Sequence, residues 1–224
     1  IGPEFPVSYS TTPGSAFYAM VKEVYDVNAA LTQEQKNTAL FWVDQGNGVG
    51  YTPNGHDISL VVQVLEQSNA NLGLAAEAYA KAGIAQRDGS IVTFRTKYAT
   101  ENNLIRPVSY IRGVIEPILE PGTTPDWLPF IPTPPHPEYP AAHSGVTGST
   151  MQAVSKVIGE NVPVSDATYV FRGFPARNFP NLFAAAEEAG ISRLYGGIHY
   201  TISINAGLEL AKVIGNNVGN VSLR

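Results

Sequence analysis

Five basic side chains between residues 97 and 199 occur in polar, conformationally special surroundings and could together bind an anion. They are Lys97, Arg106, His143, Arg193 and His199. The three fixed cations can neutralise a tetrahedral oxyanion, and arginine can do so in bidentate fashion. The two imidazoles add a nucleophile or ligand and a proton donor that titrates near neutral pH. This combination is typical of phosphoryl transfer with histidine as the nucleophile.

A proline-rich arm leads into the helix that carries His143. Residues 132–140 contain five prolines, which favour an extended chain with few backbone hydrogen bonds. Small and hydroxyl residues then begin a helix, whose N-terminus offers unpaired N–H groups and a partial positive charge to an oxyanion. The alternative is that residues 141–144 merely start a helix, with Ser144 or His143 near the cap.

Composition narrows the class of protein and its partners. Of 224 residues, 44% are hydrophobic and 15% are charged, which permits a large core and favours association. The net charge of −5 and the absence of any lysine or arginine run argue against nucleic acid or an anionic membrane as a partner. No apolar stretch approaches the roughly 20 residues that span a bilayer. We therefore expect no transmembrane segment.

Cysteine is absent from the sequence. This excludes disulfides, thiolate metal sites and a cysteine nucleophile, but it leaves the compartment open. The chain starts at Ile1 rather than at methionine, which indicates a processed terminus or a piece of a larger protein. We expect residues 1–224 to form a single helical domain, either alone or as the C-terminal part of a longer chain.

Helical periodicity dominates the sequence. Predicted helices start at Ser15, at Thr32 with the capping-box partner Gln35, and near His143, and others span residues 58–98 with a break near 67–70, then 181–189 and 194–214. The last of these would carry His199. The expected fold is an all-α bundle of about seven or more helices with negligible sheet.

Three stretches depart from this periodicity. Residues 110–131 contain four prolines and cannot form one regular helix, so a long irregular connection is expected. Residues 168–171 are the one plausible strand. A glycine-rich loop is predicted over residues 46–55, and His56 follows it. A lone histidine at such a junction is more often a cap or a surface group than a pocket residue.

The spacing of the basic residues resembles the motifs of one superfamily. Ser192-Arg193, five residues and then His199 match the Ser-Arg-x5-His signature of the type-2 acid phosphatase and vanadium haloperoxidase superfamily. Pro140-Ala141-Ala142-His143 resembles its Pro-Ser-Gly-His motif, and Lys97 with Arg106-Pro107 resembles its Lys-x6-Arg-Pro motif. The three motifs occur in the family's order.

The resemblance implies an all-helical bundle that holds vanadate, or phosphate in the same place, between its helices. His199 would be the apical ligand or nucleophile, and His143 would be the acid/base. The family's location favours a secreted or periplasmic protein, and its usual extra helices favour a homodimer or a missing N-terminal part as partner. The implied anion-binding set is Lys97, Arg106, Ala142, Arg193 and His199.

Three departures from the motifs limit what the resemblance implies. Eight residues rather than six separate Lys97 from Arg106, so on an unbroken helix the two would face opposite sides. Lys97 reaches the pocket only if the helix ends or bulges. Alanines replace the Ser and Gly before His143, which removes one hydroxyl donor and should reduce affinity for the anion. Ser203 stands where the phosphatases have Asp, so His199 is expected to lack an acidic partner.

His136 distinguishes between the two chemistries of the superfamily. It lies seven residues before His143, where algal bromoperoxidases also have histidine and chloroperoxidases have phenylalanine. This favours a vanadate-dependent haloperoxidase that oxidises bromide with hydrogen peroxide. The alternatives are a soluble acid phosphatase that cleaves phosphate esters through a phosphohistidine at His199, and a non-catalytic oxyanion-binding relative. A zinc site is disfavoured because the neighbouring lysine and arginines would repel a cation.

Overall fold

The expected all-α architecture is confirmed by the computed structural model, which describes residues 2–44 and 49–223. The α-helices are α1 (Ala16–Ala29), α2 (Gln33–Phe41), α3 (Pro53–Gln67), α4 (Leu72–Lys97), α5 (Pro107–Tyr110), α6 (Glu116–Leu119), α7 (Ala142–Ile158), α8 (Leu182–Tyr195) and α9 (Thr201–Gly219). Short 3-10 turns span Thr100–Asn102 and Val170–Arg172. In these residues the sheet consists of β1 (Val164–Asp166) paired antiparallel with β2 (Arg177–Phe179), with Val164 opposite Phe179.

The predicted helix starts are confirmed by their caps. Ser15 accepts a hydrogen bond from the backbone N–H of Tyr18 at the start of α1. Thr32 and Gln35 make both bonds of a capping box at α2. Helix α3 begins at Pro53, so the predicted loop is shorter than expected, and its residues 46–48 lie outside the described part of the chain.

Helix α7 is the central helix of the bundle. It packs against α4, α8 and α9, and its side chains are buried at nearly every position from residue 144 to 155. One core cluster joins the C-terminal half of α7 to α2, α3 and the first half of α8. A second joins the N-cap of α7 to α1, α5, the end of α8 and the start of α9. The N-terminus of α7 and the C-terminus of α8 therefore share one end of the bundle.

Close packing of α7 against α9 depends on Gly148. A Cβ atom at this position would lie 2.6 Å from the Cβ of Ala211 in α9. We expect Gly148→Ala to lower the free energy of unfolding by about 1–3 kcal/mol through overpacking. The matched control is Gly83→Ala in α4, because no atom lies within 4 Å of the added Cβ. The control should raise stability by up to about 1 kcal/mol. Chemical denaturation measures both, and equal stabilities would contradict this packing.

Two expectations about secondary structure were wrong, and a third was correct only in part. Residues 110–131 do not form one regular helix, but the irregular connection starts after α6, since residues 107–119 are helical with a π-helical turn at Ile111–Ile115. Pro117 then lies in the first turn of α6, where its missing N–H is tolerated. Residues 168–171 do not form a strand. They lie between β1 and β2 and run into the 3-10 turn Val170–Arg172. The last helix starts at Thr201, so His199 lies in the connection between α8 and α9 and not inside a helix.

Among the helices between residues 2 and 44 and between residues 49 and 223, none combines the length and the apolar character needed to cross a bilayer.

Candidate active site

The predicted site residues all lie at helix ends or in connections, and most of them converge at one end of the bundle. Lys97 ends α4, Arg106 caps α5, His143 lies in the first turn of α7, Arg193 lies in the last turn of α8, and His136 and His199 lie in connections. A cavity of about 190 Å³ is lined by His136, Ala142, His143, Arg193 and His199. Its other walls include Pro53, Phe94, Pro134, Val146 and Ile198.

Lys97 is the last residue of α4 and lies behind the proline-rich arm, and neither it nor Arg106 is among the residues that line the cavity. The Lys97 side chain is fully buried, and Nζ donates to the backbone oxygens of Pro137 at 3.0 Å and Glu138 at 2.9 Å. Burial, together with the nearby Arg106 guanidinium, lowers the pKa of Lys97 to about 7, against the opposing effect of Glu138. Because α4 ends at Lys97, this residue and Arg106 do not lie on one unbroken helix, and both donate to backbone oxygens of the arm.

Arg106 links the proline-rich arm to the connection that carries His199. Its Nε and Nη2 donate to the backbone oxygen of His136 at 3.1 and 2.9 Å, and its Nη1 donates to that of Ile198 at 2.8 Å. Nη1 also lies 3.3 Å from Nε2 of His199. These bonds fix the guanidinium beside the His199 ring.

The expectation that His199 lacks an acidic partner is wrong. Nδ1 of His199 lies 2.7 Å from Oε1 of Glu138, a fully buried carboxylate of the arm. Ser203, at the position of the family's Asp, donates to the other oxygen of Glu138 at 2.5 Å. The carboxylate therefore comes from 61 residues upstream instead of four residues downstream. Ser203 supports it and does not replace it.

The hydrogen bond to Glu138 sets the state of the His199 ring. With the proton on Nδ1 donated to the carboxylate, Nε2 is unprotonated, and its lone pair accepts a hydrogen bond from Nη1 of Arg106. Burial, and then the positive charges of Arg106 and Lys97, hold the pKa of His199 well below its usual range. His199 is therefore a neutral imidazole whose Nε2 can serve as a ligand or nucleophile.

His143 faces a carboxylate on one side of its ring. Its Nε2 lies 3.7 Å from Oδ2 of Asp44 and, among the described residues, makes no hydrogen bond although it is buried. Burial and the nearby Arg193 lower the pKa of His143 to about 4, and Asp44 opposes this shift. The ring is thus neutral at neutral pH. Nδ1 is the nitrogen left for chemistry away from Asp44.

Arg193 and the start of α7 complete the positive wall of the cavity. Nε of Arg193 donates to Ser192 Oγ at 3.0 Å, and Nη2 donates to the backbone oxygen of Trp42. Burial lowers the pKa of Arg193 to about 10, so it remains a cation at neutral pH. The N-cap of α7 is Ala141 and makes no side-chain capping bond. Neither His143 nor Ser144 caps this helix, and the first N–H groups, including that of Ala142, can serve an anion.

His136 lies between the cavity and Arg106. Its Nδ1 is 3.1 Å from Nη2 of Arg106 and 3.1 Å from the backbone oxygen of Pro137, and its ring meets Phe94 edge-on at 5.4 Å. Burial, with the charges of Lys97 and Arg106, lowers the pKa of His136 to about 4 against the bond to Pro137. A neutral imidazole therefore forms part of the cavity wall.

A known protein family matches the part of the chain that contains these residues. The family model described as "VCPO second helical-bundle domain" matches residues 77–224, about two thirds of the chain. The chain belongs to the vanadium haloperoxidase-like superfamily. The matched residues include every anion-pocket residue predicted from sequence.

Solved structures of vanadium haloperoxidases resemble the whole described fold. The crystal structure titled as the first bacterial vanadium-dependent iodoperoxidase matches with a TM-score of 0.85 and 35% identity, over 96% of this chain and 52% of that chain. Holo and apo bacterial vanadium-dependent chloroperoxidases match with TM-scores of 0.69 and 0.68 and 19% and 18% identity, and show the fold alone. They cover 90% of this chain and 46% and 47% of those chains. The chain thus spans about half the length of these haloperoxidases. A search of the curated proteins found no match.

Two carboxylates of this haloperoxidase-like site were missed by sequence reasoning. Glu138 and Asp44 face His199 and His143 respectively, and neither lies in a motif. The arm sequence Pro137-Glu138-Tyr139 gave one weak indication, since an acidic residue among prolines and apolar residues suggests a specific polar partner. The expectation for His56 was also wrong: it is completely buried and contacts Asp44.

Proposed function

We propose that this chain holds the vanadate site of a haloperoxidase that oxidises halide, with bromide favoured, using hydrogen peroxide. The observation that carries the proposal is the His199 ring, which Glu138 fixes through Nδ1 so that a neutral Nε2 faces Arg106. Iodide is the other halide to test, because the relative of 35% identity is described as an iodoperoxidase. Phosphate can compete for the same site.

The residues present fit vanadate as an anion. Lys97, Arg106 and Arg193 all donate to backbone carbonyls, and among the described residues none of them forms a direct ion pair with a carboxylate. Glu138 attracts Lys97 and Arg106, and Asp44 attracts Arg193, only at longer range. Positive charge buried without a direct ion pair is costly unless an anion joins it, and a bound anion would also favour the charged form of Lys97, whose pKa burial lowers to about 7. The loss of a serine hydroxyl at Ala141 weakens this fit but does not remove it.

Each residue has a role that follows from its contacts. His199 would be the ligand through Nε2, and Lys97, Arg106, Arg193 and the N–H of Ala142 would neutralise the anion. When bound, vanadate supplies a Lewis-acidic centre that binds and polarises hydrogen peroxide. Peroxide, halide and one proton give hypohalous acid and water. His143 can accept the proton that peroxide loses on binding and return it to the oxygen that leaves as water.

His136 would act on the halide or on the peroxide and not on the bound vanadate. Its ring lies in the cavity wall beside Phe94, and Nδ1 is engaged by Arg106 and Pro137. A neutral ring in a mostly apolar wall suits a large, weakly hydrated halide. His136→Phe should therefore change the ratio of bromide to iodide oxidation more than it changes vanadate affinity.

The decisive assay compares two reactions. Purified protein is given vanadate, hydrogen peroxide, bromide or iodide and a halogen-accepting dye, beside a phosphate-ester assay without vanadate. The proposal predicts halide oxidation that needs vanadate and is suppressed by phosphate. Ester hydrolysis inhibited by vanadate, without halide oxidation, would instead make the protein an acid phosphatase. Vanadate binding without either turnover would make it a non-catalytic oxyanion-binding relative.

Loss of the Glu138 carboxylate should weaken the site. We expect Glu138→Gln to lower vanadate affinity and turnover by about 10–100-fold, as is typical for a residue that orients a ligand histidine. Ser203→Ala removes one bond to the same carboxylate but leaves the contact with His199, so its effect should be smaller than about 10-fold. Vanadate titration and halide oxidation measure both variants. Equal effects, or none for Glu138→Gln, would contradict this role.

We also propose that residues 1–224 form one domain that associates as a homodimer or with additional N-terminal helices. Support comes from one exposed side of α4, which carries large apolar side chains, namely Leu72, Tyr79, Ile84 and Ile91. Such a stripe is typical of an interface. Sedimentation of the purified chain should show a dimer or a poorly soluble species, whereas a stable and soluble monomer would contradict the proposal.

A further inference from the structure

His56 lies between two buried carboxylates behind the active site. Its Nδ1 is 2.9 Å from Oδ1 of Asp44, and its Nε2 is 2.9 Å from Oδ2 of Asp166. A neutral imidazole has one N–H, so hydrogen bonds to carboxylates on both sides require the doubly protonated ring. Burial lowers the pKa of His56, but the bonds to Asp166 and Asp44 outweigh this and raise it to about 10.

Aromatic packing and a second anchor hold this histidine in place. The Trp42 ring stacks on the imidazole at 4.4 Å, and Phe41 and Tyr169 meet its edges. Asp166 ends strand β1, and its Oδ1 accepts the backbone N–H of Thr168 at 2.9 Å. The carboxylate behind His56 is therefore fixed to the backbone, and the ring cannot turn away from Asp44 without losing both partners.

The two oxygens of Asp44 serve different sides of the structure. Oδ1 accepts from Tyr169 Oη at 2.6 Å as well as from His56. Oδ2 faces Nε2 of His143 at 3.7 Å. Asp44 also adopts a positive φ of 44°, which is uncommon for a residue other than glycine. Its backbone and Oδ1 are thus fixed, and Oδ2 is aimed at His143.

We propose that His56 is a positioning residue: by holding Oδ1 of Asp44 it places the negatively charged Oδ2 3.7 Å from Nε2 of His143, which electrostatically favours the tautomer with the proton on Nε2 and leaves Nδ1 for the cavity. This inference rests on the proposed acid/base role of His143. The charged groups around this contact are His56 and Asp166 behind Asp44, the buried Asp57, which interacts electrostatically with both His56 and Asp44, and Arg193 beside His143. No other histidine of the chain is involved, because His136 and His199 lie across the cavity.

Two variants of the same residue separate positioning from charge. The amide nitrogen of asparagine lies near the position of imidazole Nδ1, and that of glutamine lies near Nε2. His56→Asn can therefore still donate to Asp44, whereas His56→Gln can still donate to Asp166, and both lose the positive charge. If positioning matters, His143 keeps its wild-type tautomer in His56→Asn but not in His56→Gln. If only charge matters, the two variants behave alike, which would overturn the proposal.

The first readout does not depend on catalysis. The chain has four histidines, so ¹⁵N NMR of histidine-labelled protein without vanadate can assign each ring by single substitution. We expect wild-type His143 to carry its proton on Nε2, His56→Asn to retain that tautomer, and His56→Gln to show a mixture. A proton on Nδ1 in the wild type would overturn the proposal without any variant. This result stands whether or not the protein oxidises halide.

The second readout is the split between turnover and binding. We expect kcat of His56→Gln to fall about 10-fold below that of His56→Asn, as for residues that orient a functional group through another. Vanadate Kd should change by less than about 3-fold in both, because neither variant touches the anion-binding residues. In an Asp44→Asn background the difference between the two variants should vanish. A difference that persists would show that His56 acts by another route.

Two further variants control for folding. Ser59→Ala removes a bond to Thr168 one turn along α3 from His56 and does not touch Asp44, so the His143 tautomer should stay unchanged. If the His56 variants do not fold, Tyr169→Phe removes the other donor to Oδ1 without leaving a charge unpaired. Because His56 still holds Oδ1, the His143 tautomer should stay as in the wild type. A shifted tautomer in Tyr169→Phe would make Tyr169 the residue that positions Asp44 and would overturn the proposal.

Discussion

His199→Ala is expected to abolish vanadate binding and halide oxidation together. His199 supplies the one neutral nitrogen that Glu138 and Arg106 orient for a ligand bond, so its loss should exceed the roughly 10–100-fold typical of an orienting residue. Vanadate titration followed by calorimetry measures binding, and dye bromination measures turnover. Added imidazole should restore part of both. Vanadate affinity within about 10-fold of wild type, with activity lost, would contradict the ligand role.

The second large effect is expected for His143→Ala. Turnover should fall by about 10²–10⁴-fold, as for the loss of a general acid/base. Vanadate affinity should change little, because Lys97, Arg106, Arg193 and His199 remain. Equal losses of affinity and turnover would mean that His143 is a ligand.

The pH dependence of turnover gives an independent check on His143. Its pKa is lowered to about 4, so the ring is a neutral proton acceptor above that pH and is already protonated below it. Wild-type kcat should therefore fall as the pH drops through about 4. This acid limb should be missing from the residual activity of His143→Ala. An unchanged acid limb in the variant would assign the limb to another group.

Sequence reasoning succeeded where the local structure depends on spacing along the chain. Arg193 and His199 are separated by five residues that turn the end of α8 into the start of α9, and the motif fixes this short connection. Helix α7 starts at Ala142, directly after the proline-rich arm. Both features follow from backbone restrictions that act within a few residues. The helical bundle follows from periodicity and caps, which are also local.

Sequence reasoning failed where the partners are far apart along the chain. Glu138 meets His199 across 61 residues, and His56 meets Asp44 and Asp166 across 12 and 110 residues. A search for an acidic residue four positions after His199 examines only the same helix and finds Ser203. The carboxylate arrives from the arm instead, because Lys97 and Arg106 bind the arm's carbonyls and bring Glu138 against the ring.

His56 shows how a local interpretation can invert an assignment. Next to a glycine-rich loop, a lone histidine suggested a cap or a surface group. In the fold it is completely buried, and two carboxylates from outside α3 make that burial tolerable by holding it as a cation. Removing one partner of such a cluster leaves a charge buried and unpaired, which typically costs about 3–5 kcal/mol. For that reason the experiment compares His56→Asn with His56→Gln, each of which keeps one hydrogen-bond donor, and does not use alanine.

The central claim is that the pocket binds vanadate through Nε2 of His199. The most direct measurement is the crystal structure of the protein soaked in orthovanadate, with anomalous data collected near the vanadium absorption edge. The account predicts one anomalous peak at bonding distance from Nε2 of His199, with Lys97, Arg106 and Arg193 donating to the oxygens around it. An anomalous peak elsewhere, or no peak while the pocket is open to solvent, would contradict it.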